Sequence, residues 1–308
     1  MTKFLQTLMD GVAVGSLYAL IALGYTMVYG TLQFINFAHS DVFVLGAWVS
    51  YTLAVVLGYA ASGSHPPLWA GLLILVAAMA TCGAVGFTIE RLAYRPLRQA
   101  PRLNVLITAI GVSLLLQNVG QLKWFFGTQP QRMPSLIEDR VLGTVAGVSM
   151  HAVDVIGAGT AIALMLVLEW LIFRTRLGRA MRAVSHDTAV ASLMGINVDA
   201  VISFTFVLGS SLAAAAGFLY AMKYPGLNQP AHATWVLLGL KAFVAAVIGG
   251  IGNVRGAMLG GFLIALIELF GAAYLSPHLR DIYVFSILII VLLVRPAGIL
   301  GTSVAEKV

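Results

Sequence analysis

The chain reads as a succession of long apolar stretches joined by short polar connections. Windows of about 20 apolar residues, the length a helix needs to cross a hydrocarbon core of roughly 30 Å, fall at Leu5–Tyr29, Val42–Ala61, Leu68–Ile89, Asn104–Leu122, Ala152–Phe173, Val201–Met222, Trp235–Ile251, Gly256–Leu275 and Ile282–Leu300. The last loses its uninterrupted apolar character after Val294, where Arg295 and Pro296 follow, so the pattern predicts eight or nine membrane-spanning helices. Lys3 precedes the first run as in a signal peptide. That run continues to Tyr29 without a small-residue cleavage site and is read as a retained span.

Composition agrees with the pattern. With 60% hydrophobic and 10% charged residues and a mean hydropathy of +0.94, a chain of 308 residues has too little polar surface to wrap a soluble core. The expected fold is all-α, a polytopic membrane protein forming one transmembrane domain over residues 1–308. Cys82 is the single cysteine, which excludes an internal disulfide. The net charge of +6 gathers in connections between apolar runs, as cytoplasmic membrane flanks do, and does not point to nucleic acid.

Arginine placement gives an orientation. Arg91, Arg95, Arg98 and Arg102 follow the third span, and Arg174, Arg176, Arg179 and Arg182 follow the fifth, so both connections are expected to be cytoplasmic. The connection Lys123–His151 then faces outward, with Lys123, Arg132 and Arg140 balanced by Glu138 and Asp139. Arg255 and Arg295 fall inside on the same count. The side of the N-terminus stays open, because Gly30–Asp41 reads equally as a loop, a broken helix or a re-entrant piece.

The sequence contains no Gly-Lys dipeptide, hence no phosphate-binding loop, and no connection long enough for a nucleotide-binding domain. It carries no HExxH motif, no paired cysteines and no histidine cluster at metal-ligand spacing. A catalytic or metal site is therefore not expected.

Polar groups at membrane depth are costly and mark function by default. The densest set lies in Gly24–Trp48, where Tyr25, Tyr29, Gln33, Asn36, His39 and Asp41 crowd between apolar flanks. One reading is a broken helix lining a translocation pathway, since unwound backbone at that depth survives only against protein or water. The other is a cytoplasmic loop. Lys241 and Glu268 interrupt the seventh and eighth spans, and an ion pair or a snorkelling lysine accounts for them better than a proton relay. The small-residue runs Ser210–Gly217 and Ala245–Gly261 read as close helix packing. A faint echo between Gly15-Ser-Leu-Tyr-Ala-Leu and Gly217-Phe-Leu-Tyr-Ala-Met hints at related halves.

The stretch Arg174–Ala200 is the most polar long segment in the chain. Its arginines mark the cytoplasmic interface, and Ser185–Met194 predicts a helix of about ten residues, started by Ser185 or Asp187 and stopped by Gly195. Ala189, Leu193 and Ile196 are expected to face the membrane domain, leaving Asp187, Val190, Ala191 and Met194 toward the cytosol. With no lysine or arginine and small residues on the exposed side, the helix suits a protein groove better than lipid headgroups.

The segments LYALIALGYTMVYGTLQFINFAHSDVFVLGAW, GRAMRAVSHDTAVASLMGIN and KAFVAAVIGGIGNVRGAMLGGFLIALIE, with the terminal VLLVRPAGILG, resemble the permease subunits of branched-chain amino acid ABC importers, and the compact length resembles the first of the two paired permeases. One departure is Ser40, where the family usually shows glycine after Asn-Phe-Ala-His. The resemblance implies a multi-pass bacterial inner-membrane subunit that binds no cofactor itself. Its implied partners are a second permease, two cytoplasmic subunits that bind the ATP, and an external substrate-binding protein. It further implies that Arg182, Ser185, Asp187, Val190, Ala191, Met194 and Gly195 form the helix that couples to the ATPase. An ion-gradient-driven amino acid transporter or channel is the competing reading. Its mark would be ionisable groups within the spans and uptake by the isolated subunit.

Overall fold

The computed structural model describes residues 2–59, 66–98, 100–138, 140–145 and 147–301. Helices, numbered in chain order, are α1 Thr2–Leu32, α2 His39–Val56, α3 Leu68–Ile89, α4 Arg102–Gly120, α5 Ala152–Arg174, α6 Arg176–His186, α7 Thr188–Leu193, α8 Val198–Lys223, α9 Ala233–Gly249, α10 Val254–Tyr274 and α11 Arg280–Val294. Among the described residues, eight helical stretches are long and apolar enough to cross a membrane, and α9 is a shorter apolar helix. The nine apolar windows thus each become a helix, and the last ends at Val294 where its apolar run stops. The predicted end of the second span, Ala61, and the predicted loop acid Asp139 lie outside the described residues.

The bundle is wound around α1. Its best apolar window is 94% buried, against 6% for the outermost helix α11. Against it pack α10, α8, α9 and α5, while α3 and α2 cover α8. Small residues set these distances. Added carbon at Gly256 would strike the Gly249 carbonyl, so the α9–α10 hairpin closes only because both positions are bare. The large apolar side chains left outside, such as Leu72 and Val76 on α3 or Ile107 and Leu115 on α4, suit a hydrocarbon solvent.

The packing shows which end of α1 lies with the arginine-rich connections, and the positive-inside rule then gives a side to the N-terminus. Lys3 Nζ donates to the Ala273 carbonyl at the end of α10, whereas Gly30, near the other end of α1, sits beside Gly252 in the turn before α10. That turn lies at the arginine-rich end, so α1 begins outside and ends inside. On the outer side the connections form two small antiparallel sheets: β1 Gln131–Arg132 with β4 Gly226–Leu227, and β2 Val141–Val145 with β3 Val148–His151.

Candidate functional site

The polar set near the first connection divides between two environments. α1 stops at Leu32, and Gln33 takes a positive φ of 55°, which turns the chain back toward the bundle. Residues 33–38 form the connection and α2 starts at His39, so this is a helix break whose far side returns into the protein. Gln33 is exposed and Tyr29 half-buried, whereas Tyr25, Asn36, His39 and Asp41 are buried. His39 Nε2 is 3.2 Å from the Ile21 carbonyl, and its ring lies 4.6 Å from that of Tyr25. Asn36 Oδ1 accepts from the Tyr94 hydroxyl at 2.6 Å and from Ala38 N–H at 3.1 Å. Asp41 Oδ1 accepts from Gln117 Nε2 at 2.9 Å. Its second oxygen is buried without a hydrogen-bond partner among the described residues. Ser40 sits in the first turn of α2 with its Cβ against Gly239, so the helical backbone there has no need of glycine.

The candidates are therefore not gathered round one point. A cavity of about 210 Å³ does open between α1, α2, α4 and α9, lined by the polar Tyr25, Ser40, Ser113 and Gln117 and by the aliphatic Ile110, Leu114, Val236 and Leu240. Asp41 is tied to its rim through Gln117. On the outer side a larger cavity of about 790 Å³ is bordered by Tyr51, Gln131, Arg132, His151 and the Asp154–Lys223 ion pair.

At the cytoplasmic end, three side-chain caps in succession shape the segment after α5. Thr175 Oγ1 accepts from Gly178 N–H, Asp187 Oδ1 from Ala189 and Val190 N–H, and Asn197 Oδ1 from Ala200 N–H, starting α6, α7 and α8 respectively. Gly195, at φ 79°, ends α7, with Ile196 N–H reaching back to the Ala191 carbonyl.

Three expectations are corrected here. The predicted ten-residue helix is instead the six residues Thr188–Leu193, because Asp187 caps a new helix and breaks off the old one. Ser185 belongs to α6, which places its buried Gly178, Met181 and Val184 on one face and leaves Arg176, Arg179 and Arg182 exposed. The facing of α7 is also different: Ala191 is buried at 3% exposure, while Ala189 is exposed and Leu193 stands out at 86%. Ala191 is the residue of α7 that the helix turns toward the protein. Val190, Leu193 and Met194 form an apolar tip in water.

Within the spans Lys241 and Glu268 are an ion pair at 2.9 Å. Lys241 also reaches Asp281 at 2.8 Å, and Tyr18 donates to Glu268 at 2.9 Å. A second ionic group passed unnoticed in the sequence: Glu90 pairs with Arg98, and Asp199 pairs with both Arg95 and Arg98. The available signal was a pair of acids flanking two arginine-rich connections, which orientation rules read only for their positive charge. Among the described residues no group of three His, Cys, Asp or Glu side chains could hold a metal ion.

Compared with known proteins, residues 7–293 match the family described as "Branched-chain amino acid transport system / permease component". The chain is 41% identical over 308 residues to the high-affinity branched-chain amino acid transport system permease protein BraD of Pseudomonas aeruginosa, covering 99% of this chain and 98% of that one. It is 43% identical over 312 residues to the corresponding protein LivH of Escherichia coli, with the same coverage. A probable branched-chain amino acid transport permease protein of Methanocaldococcus jannaschii is 28% identical, over 97% of this chain and 93% of that one.

Proposed function

This chain belongs to the permease family of branched-chain amino acid transport systems, and from that premise we propose that it is the membrane subunit of an ATP-driven importer of branched-chain or related amino acids in the bacterial inner membrane. It is the path and not the engine. ATP is bound and hydrolysed on two cytoplasmic subunits, a second permease completes the membrane domain, and an external binding protein delivers the substrate.

The observation that carries this reading is α7: a short, capped helix outside the bilayer whose tip, Val190, Leu193 and Met194, is apolar and exposed. Exposed apolar side chains on a polar segment mark a protein-binding surface, and a chain without a nucleotide loop needs one. ATP-dependent closure of the partner would push on this tip and shift the helices between outward- and inward-open arrangements, in proportion to its differential contacts with the two. The wall of the 210 Å³ cavity is almost wholly apolar, which suits an aliphatic side chain.

The deciding experiment is reconstitution. Purified from its native membrane, the chain is expected to bring with it a second permease and two ATP-binding subunits. Proteoliposomes holding that complex, supplied with binding protein and internal ATP, are expected to accumulate labelled leucine, isoleucine or valine. Uptake by this chain alone under a proton or sodium gradient would instead establish the gradient-driven alternative.

A further inference from the structure

Immediately after α3 the helix widens into a π-helical turn, Glu90–Tyr94, followed by a 3-10 turn, Arg95–Leu97. Such widened turns recur at functional positions because they leave backbone groups less tightly fixed than an α-helix does. This one is held at both ends by polar side chains.

Toward the cytosol, Arg95 and Arg98 both grip Asp199, which lies in the first turn of α8, two residues after the Asn197 cap and six after the end of α7. Arg98 also holds Glu90, whose other oxygen accepts from Ser203 Oγ at 2.5 Å. Glu90 is fully buried, so the charge is tolerated only in this arrangement. Toward the bundle, Tyr94, 1% exposed and packed between Phe34 and Phe206, donates its hydroxyl to Asn36. Asn36 in turn caps the backbone at Ala38, one residue before α2 begins and two before Ser40 on the 210 Å³ cavity.

We infer that this turn is a strut that carries motion from the docking helix to the transport cavity. Ion pairs join Asp199 to Arg95, Arg98 and Glu90, a hydrogen bond joins Tyr94 to Asn36, and the backbone of the π turn links the two sets, so a physical path for coupling runs between the distant sites. A push on α7 displaces the start of α8. The arginines pass that displacement to the π turn, and Tyr94 passes it to the break before α2. Asp199 and Tyr94 are positioning residues in this scheme and touch no substrate. The inference rests on the importer reading above.

The test uses the complete complex in proteoliposomes and reads uptake per ATP hydrolysed, a ratio that a loss of folded protein leaves unchanged. Asp199→Asn and Tyr94→Phe each remove one polar link, and Asp199→Glu keeps the charge. The first two are expected to lower uptake per ATP by roughly 2- to 30-fold, the range set by typical coupling energies, with the ATPase subunits still bound; Asp199→Glu is expected to restore most of it. Should Asp199→Asn fail to assemble, Tyr94→Phe alone decides. Wild-type ratios in both assembled variants overturn the strut while leaving the importer intact. A wild-type complex that moves no branched-chain amino acid overturns the importer reading itself.

Discussion

Lys241 on α9 and Glu268 on α10 face each other at 2.9 Å, with side chains only 10% and 7% exposed. Lys241 also pairs with Asp281, but that carboxylate is half-exposed, so removing the lysine strands chiefly the buried Glu268. Lys241→Met is therefore expected to destabilise the protein by about 3–5 kcal/mol, whereas Lys241→Met with Glu268→Leu is expected to recover most of the loss. Thermal unfolding of the purified complex in detergent checks this, and a double variant no better than the single one would refute it.

The tip of α7 separates docking from folding. Leu193→Asp places a charge on a side chain already 86% exposed, so the melting temperature is expected to hold while ATPase subunits no longer co-purify. Ala191→Asp forces a charge into a site 3% exposed and is expected to lower the melting temperature first. If Leu193→Asp retains its ATPase subunits and full uptake, α7 is not the docking helix.

Gly195 adopts φ 79°, where a side chain clashes with its own backbone. Nothing else lies within contact distance of an added Cβ, so the strain is local. Gly195→Ala is expected to cost about 1–2 kcal/mol in the α7–α8 turn and to reduce uptake through misplacement of α7. Unchanged uptake would show that the corner tolerates another geometry.

Asp41 keeps one oxygen on Gln117 and leaves the other buried without a hydrogen-bond partner among the described residues. An amide retains the first bond without carrying a charge into the membrane, so Asp41→Asn is expected to keep or raise the melting temperature. If Asp41 serves the passage, amino acid uptake falls several-fold in the same variant. Uptake at the wild-type rate removes Asp41 from the pathway.

Much of the architecture was legible because hydrophobicity along a helix is a local property. Leu68–Ile89 emerges with the boundaries its apolar run predicts, and Asp187 and Gly195 serve as the start and stop their chemistry suggests. The candidate site was less legible. Whether Ala191 or Leu193 faces the protein depends on which neighbour can approach, and helical spacing alone does not say. Tyr94 and Asn36 meet across 58 positions of sequence, and Glu90 meets Ser203 across 113. Neither pairing leaves a local mark.

The sequence by itself determined the class of solvent the chain lives in and where its apolar helices fall, because each follows from residue types counted along the chain. The tertiary structure alone decided that the break before His39 folds back into the protein, which ends of the helices lie together, and that ion pairs of Asp199 and Glu90 with Arg95 and Arg98 tie the start of α8 to the turn from which Tyr94 reaches Asn36. These depend on which helices touch. In a bundle held by small residues at close range, that is settled by shape complementarity across the whole chain and not by any single stretch of it.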